Sequence, residues 1–115
     1  MIYIIDDDIV MAKCIKRASG EDAKIFSNAI EAMSAVAEGE LPKIIFLDIL
    51  LDGPDGFTFL NELVSYGDTR TIPVVIVSSL DFSKKDFSDY GVVGVLNKDT
   101  MRPEEIKEYV RKYAE

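Results

Sequence analysis

Apolar residues along this chain follow two rhythms. Four short runs, Ile2–Ile5, Ile44–Leu47, Val74–Val77 and Val92–Leu96, are apolar at successive positions and rich in β-branched side chains. That is the pattern of strands buried on both faces. A weaker fifth run, Ala23–Ser27, lies between the first two. Elsewhere apolar residues recur at three- and four-residue spacing, which predicts amphipathic helices with a core-facing stripe. The stripes are Val10, Met11, Cys14, Ile15 and Ala18, then Ala29, Ala32, Met33 and Val36, then Phe57, Leu60, Leu63 and Val64. A short, weak fourth helical segment runs from Phe82 to Tyr90, and Ile106, Tyr109, Val110 and Tyr113 form the last stripe.

The punctuation supports this division. Asp8 is placed to cap the first helix, and Gly20, Gly39, Gly67 and Gly91 follow helical segments where a left-handed stop is expected. Pro42 and Pro73 stand at strand entries, and Pro103 falls in the first turn of the last helix. Five strand–helix units without repeats or linkers imply one α/β domain over residues 1–115. The expected architecture is a flavodoxin-like three-layer sandwich, with a five-stranded parallel sheet in the order 2-1-3-4-5 and helices on both faces.

Composition narrows the chemistry. The chain has 115 residues, of which 48% are hydrophobic, a net charge of −8, one cysteine and no histidine. It can therefore bury a core. Histidine-based nucleophilic catalysis and histidine-ligated metals are excluded, and so is a zinc–thiolate cage. Cys14 is expected to be a small core residue. The acidic balance argues against direct contact with nucleic acid. The N-terminal apolar run has no basic residue before it and three aspartates after it, unlike a signal peptide, and no window approaches the roughly 18 apolar residues of a membrane span. No membrane contact and a cytoplasmic location are expected.

The predicted topology concentrates chemistry at one edge. Asp6, Asp7 and Asp8 end the first run, Asp48 the second of the four strong runs, Ser78 and Ser79 the next, and Lys98 the last. In an open parallel sheet, ligands bind beyond the strand C-termini. Each residue alone has a blander explanation: a helix cap, a turn aspartate, a solvated lysine. Their joint placement at the ends of four strands does not. Carboxylates about 4 Å apart repel by roughly 4 kcal/mol per pair at an effective dielectric of 20, so such a cluster raises its own pKa values or holds a cation. Mg²⁺ (or Mn²⁺), with carboxylates, waters and a phosphoryl group as ligands, fits best.

The stretches IYIIDDD (2–8), KIIFLDILLDGPDGF (43–57), IPVVIVSSL (72–80) and GVVGVLNKD (91–99) resemble the receiver domain of two-component response regulators over essentially the whole chain. The resemblance implies roles. Asp48 would be the phosphoacceptor, taking a phosphoryl group from a phosphohistidine on a sensor histidine kinase or histidine phosphotransfer protein. Asp7, Asp48 and the Leu50 backbone carbonyl would ligate Mg²⁺ directly, and Asp6 would do so through water. Lys98 would pair with Asp48 and then with the phosphoryl oxygens, and Ser78 would be the switch hydroxyl. Asp55 and Gly56 match the turn that opens the third helix. Such a domain would be a signalling module catalysing only its own phosphorylation and dephosphorylation. It would act on a downstream output domain or protein through the face made by the fifth strand and the last two helical segments, with homodimerisation through that face left open. The chain could be a stand-alone regulator or part of a longer protein.

Several positions depart from the family pattern. Asp99 stands where proline usually follows the lysine, so a trans Lys98–Asp99 bond is expected. Val95 replaces a switch aromatic and Asp52 replaces a loop proline; Ser79, beside the switch serine, is expected to modulate the response along with Leu50, Leu80, Val95 and Asp99. Leu50 and Leu80 flank the expected path of the hydrolytic water and cannot orient it, which predicts slow autodephosphorylation. A dehalogenase-type phosphatase would need an acid at Leu50, and a flavodoxin would need a phosphate loop where Asp6–Asp8 stand. The remaining alternative is a pseudo-receiver, a binding module that is never phosphorylated, although such modules normally lose the acceptor or the acid pair.

Overall fold

The structure is a computed structural model that describes residues 1–50, 55–80 and 87–114. Five strands, β1 (Ile2–Ile5), β2 (Ala23–Phe26), β3 (Ile45–Leu47), β4 (Val74–Ser78) and β5 (Val92–Asn97), form one parallel sheet in the order β2-β1-β3-β4-β5. The helices are α1 (Ile9–Ser19), α2 (Ala29–Ala37), α3 (Gly56–Val64) and α4 (Pro103–Tyr113). The expected flavodoxin-like order is the one observed.

Alternation along each strand builds two cores. Ile2 and Ile4 share one face with Phe46, Val75, Val77 and Leu96, under Ala12, Ile15 and Ala18 of α1 and Ile106 and Val110 of α4. Tyr3 and Ile5 share the other with Ile45, Leu47, Val74 and Ile76, under Ala29 and Ala32 of α2 and Phe59, Leu60 and Leu63 of α3. The central strands are buried on both sides, which is why they read as unbroken apolar runs. β2 and β5 are edge strands and only half-buried; the β2 pattern is weaker for it, whereas β5 keeps an unbroken apolar run without the burial on both faces which that run predicts. The radius of gyration is 12.6 Å, close to the roughly 13 Å of a compact domain this long.

Caps set the helix starts. Asp8 Oδ1 accepts from the Val10 and Met11 N–H groups at 3.0 and 3.2 Å, and Asp55 Oδ1 accepts from Thr58 N–H at 3.1 Å. Each such cap contributes about 1 kcal/mol. Gly20, Gly39 and Gly91 take positive φ as expected.

Four further expectations need correction. Gly67 has no positive φ, because α3 ends earlier and Ser65 closes it in right-handed geometry. Cys14 is exposed rather than buried, and Val10 is 69% exposed. The buried stripe of α1 is Ala12, Ile15 and Ala18; the helix is rotated so that alanines lie close against the sheet and the larger Val10 faces out. The fourth helical segment falls partly outside the described residues, and its described end is a 3-10 turn, Ser88–Tyr90. Asp52 also lies outside them.

Candidate phosphoacceptor site

The backbone ladder continues past the strands and carries the site residues with it. Asp6 N–H donates to Phe26 O at 3.0 Å, Asp48 N–H to Ile5 O at 2.8 Å, and Lys98 N–H to Ser78 O at 3.0 Å. Acids from β1 and β3 and the lysine from β5 are thus delivered to one edge by main-chain pairing.

There Lys98 Nζ lies 2.9 Å from Asp6 Oδ2 and 3.1 Å from Asp48 Oδ2. Asp6 and Asp48 are almost wholly buried, and Asp7 is on the solvent side. One carboxylate oxygen from each of the three falls within 4.8 Å of the others. Asp6 Oδ1 accepts from Asp8 N–H at 2.9 Å, and Asp48 Oδ1 from Leu50 N–H at 3.0 Å. Asp6 Oδ2 is buried without a hydrogen bond of good geometry; its 2.9 Å approach to Lys98 is an ion pair.

Burial pushes the Asp6 carboxyl above the usual carboxylate range, with the Asp48 charge adding to it, against the pull of Asp8 N–H and Lys98. Burial alone would lower the Lys98 ammonium, but its close pairing with the Asp6 and Asp48 carboxylates outweighs that and holds it above the usual lysine value. Among the described residues, Lys98 alone is paired with the two buried carboxylates, and Asp7 lies alongside. This donor set fits a hard divalent ion. It offers only oxygen ligands, and one of them is a buried oxygen lacking a proper donor.

The other predicted residues surround this cluster. Ser78 is fully buried at the end of β4, and its Oγ accepts from Leu80 N–H at 3.1 Å. Leu50 and Leu80 are 51% and 46% exposed, and the contact the structure shows for Leu50 is its N–H on Asp48. Ser79 and Asp99 are exposed. Asp99 N–H donates to Asn97 Oδ1 at 2.8 Å, and the Lys98–Asp99 bond is trans, as is every peptide bond among the described residues. Val95 is half-buried on the α2/α3 side of β5.

Two contacts went unread in the sequence. A Cβ on Gly56 would stand 2.7 Å from Ile49 Cα and 2.8 Å from the Asp48 carbonyl oxygen. Gly56 N–H also donates to Ile49 O at 2.9 Å, so the start of α3 lies directly on the acceptor loop. The Asp55-Gly56 pair signalled the turn but not this approach. On β5, the Tyr109 ring of α4 fills the space that a side chain on Gly94 would need.

A parallel sheet with an acid pair, a single acid, a hydroxyl and a lysine at its C-terminal edge defines a class of phosphoacceptor signalling domains. The chain belongs to the response regulator receiver domain family, whose profile matches residues 2–111. It is 33% identical over 82 residues to the response regulator PleD of Caulobacter vibrioides, covering 70% of this chain and 18% of that protein. It is 28% identical over 123 residues to a protein-glutamate methylesterase/protein-glutamine glutaminase of Burkholderia thailandensis, covering 99% of this chain and 34% of that protein. The chain thus spans about a fifth to a third of the length of these curated relatives. Among solved structures, a protein described as a response regulator from Chloroflexus aurantiacus superposes with a TM-score of 0.82 at 26% identity, over 96% of this chain and 93% of that one. The Mn²⁺-bound response regulator Rcp1 superposes at 0.72 and 19% identity, over 96% and 88%.

Proposed function

We propose that residues 1–115 form a single receiver in which Asp48 accepts a phosphoryl group from a phosphohistidine on a sensor histidine kinase or phosphotransfer protein. The observation that carries this is the arrangement of Asp48: buried at the end of β3, paired with Lys98, and within reach of the Asp6 and Asp7 carboxylates. An ionised carboxylate needs no general base. An Asp48 oxygen forms the new O–P bond as the donor's N–P bond breaks, and the bonding pair returns to the imidazole nitrogen. Lys98 Nζ stays beside that oxygen and stabilises charge on the transferred group. The Ser78 hydroxyl exchanges its bond with Leu80 N–H for one to a phosphoryl oxygen, and Leu50, Ser79, Leu80, Val95 and Asp99 modulate the response.

Asp6, Asp7 and Asp48, with the Leu50 carbonyl, would hold Mg²⁺ or Mn²⁺. A bound divalent ion would supply neutralisation of the carboxylates and of the phosphoryl oxygens. Rcp1, which is known in a Mn²⁺-bound form, supports that choice. No helix among the described residues is long and apolar enough to cross a membrane, which supports a cytoplasmic setting. The test is labelling by acetyl phosphate, or binding of beryllofluoride, with and without Mg²⁺. Modification of the parent in Mg²⁺ only, with none in Asp48→Asn, is expected. Equal behaviour of parent and variant would favour a module that is never phosphorylated.

A further inference from the structure

The outer side of the α2/α3 layer carries a groove of about 550 Å³. Its apolar lining is buried Phe59 and Leu63 of α3 as a floor, with half-buried Met33 and Val36 and exposed Ala37 of α2 beside them. Ile30 and Tyr66 stand at its mouth, 56% and 59% exposed. A floor of that kind with large apolar groups left in water is how a binding surface differs from scattered exposed residues.

The charge around the groove is one-sided. Its charged lining is Glu62 and Asp68. The two segments that form its walls, residues 28–41 and 55–69, contain no lysine or arginine, while Glu31 on α2 and Glu38 at its C-cap add further exposed acids. The nearest basic residue in sequence, Arg70, is turned back onto the end of α3, donating to Val64 O at 2.9 Å. Lys24 is engaged with Glu40 at 2.7 Å, outside the lining. The opposite layer differs: α1 carries Lys13, Lys16 and Arg17, and α4 carries Lys107, Arg111 and Lys112.

We propose that the α2/α3 groove docks an amphipathic helix of a partner protein whose apolar stripe is bordered by lysine or arginine. The apolar floor accepts side chains at helical spacing, as in other helix-in-groove recognition. The acidic rim selects cations flanking that stripe and disfavours acidic helices. α2 and α3 have nine residues each, or about 13 Å, enough to contact roughly two and a half turns of a partner helix. The proposal does not depend on the phosphoacceptor role of Asp48.

The test uses a synthetic helical peptide of about 15 residues with leucines at i, i+3, i+4 and i+7 bordered by lysines, and a matched peptide bordered by glutamates. Each is titrated into the isotopically labelled full chain and followed by amide NMR. The lysine peptide is expected to shift Ile30, Met33 and Tyr66, and to bind at least about tenfold more tightly than the glutamate peptide. Exposed Glu62→Lys with Asp68→Lys should weaken it about tenfold. Glu21→Lys with Glu108→Lys makes the same change in net charge elsewhere and should weaken it less than about twofold. Equal weakening by both pairs would reduce the effect to general charge attraction and overturn the proposal. So would shifts confined to α1 and α4, or self-association of the peptide-free protein that the groove pair abolishes, which would make a second copy the occupant.

Discussion

Replacing Lys98 by methionine removes the ammonium that lies 2.9 Å from Asp6 and 3.1 Å from Asp48 while keeping much of its volume. At an effective dielectric of 20, each of those contacts is worth about 5 kcal/mol of attraction, and the cost of desolvating all three groups cancels most of it. What remains on removing one partner is two buried, unneutralised carboxylates, a situation that typically costs about 3–5 kcal/mol. The Lys98 side chain keeps 16% of its exposure, so water relieves part of the penalty, and about 3 kcal/mol is expected. That is a large share of the roughly 5–15 kcal/mol that holds a domain folded, and it corresponds to a fall in Tm on the order of 10 °C. Urea denaturation in EDTA near neutral pH should show a lower midpoint with an unchanged m-value. Adding Mg²⁺ should recover more stability in the variant than in the parent, since a cation then replaces the missing charge. Combining the change with Asp6→Asn should shrink the deficit, because one of the repelling carboxylates is gone. A Lys98→Met protein as stable as the parent in EDTA, or a deficit untouched by Asp6→Asn, would refute the electrostatic account of this site.

Asp6 has a raised pKa in the folded protein, so its contribution to stability is fully present below the unfolded value, about pH 4, and is lost as pH rises through the folded value. Asp6→Asn should therefore be more stable than the parent near pH 7 in EDTA, with the gap closing toward pH 4; a gap that widens on acidification would contradict the sign. Gly56→Ala forces a methyl to within 2.7 Å of Ile49 Cα and 2.8 Å of the Asp48 carbonyl, both backbone atoms that cannot swing aside. A loss of about 1–3 kcal/mol and slower labelling by acetyl phosphate are expected, and full stability with normal labelling would argue against the tight seat. The Leu50 and Leu80 side chains, both partly open to solvent, carry no group able to orient water, so acyl-phosphate decay should be slow and should speed up in Leu80→Glu or Leu50→Asn. Decay of the parent within seconds would defeat that expectation.

Much of this protein was legible from pattern alone. The unbroken apolar runs and their helical spacers pointed to a parallel sheet with two covered faces, because strands buried on both sides dispense with polar alternation; β5 shares the pattern although it is a half-buried edge strand. Once the strand order followed, so did the meeting of Asp6, Asp7, Asp48, Ser78 and Lys98 at one edge. The sequence did not show which side of α1 faces the sheet. Val10 and Cys14 fit a helical stripe as well as Ala12 does, and the choice fell to how closely the helix packs, which small side chains permit. Nor did it show that Gly56 rests on the Asp48 carbonyl, or that Tyr109 of α4 covers Gly94 of β5, since both are contacts between elements set by layer spacing. Local chemistry determined the elements and the residues at their ends. Tertiary packing decided which carboxylate oxygens share Lys98, which oxygen of Asp6 is left without a well-aligned donor, and that the acidic, apolar walls of α2 and α3 enclose a groove. Periodicity assigns a residue to a face; distances of a few tenths of an ångström between faces exist only once the layers close.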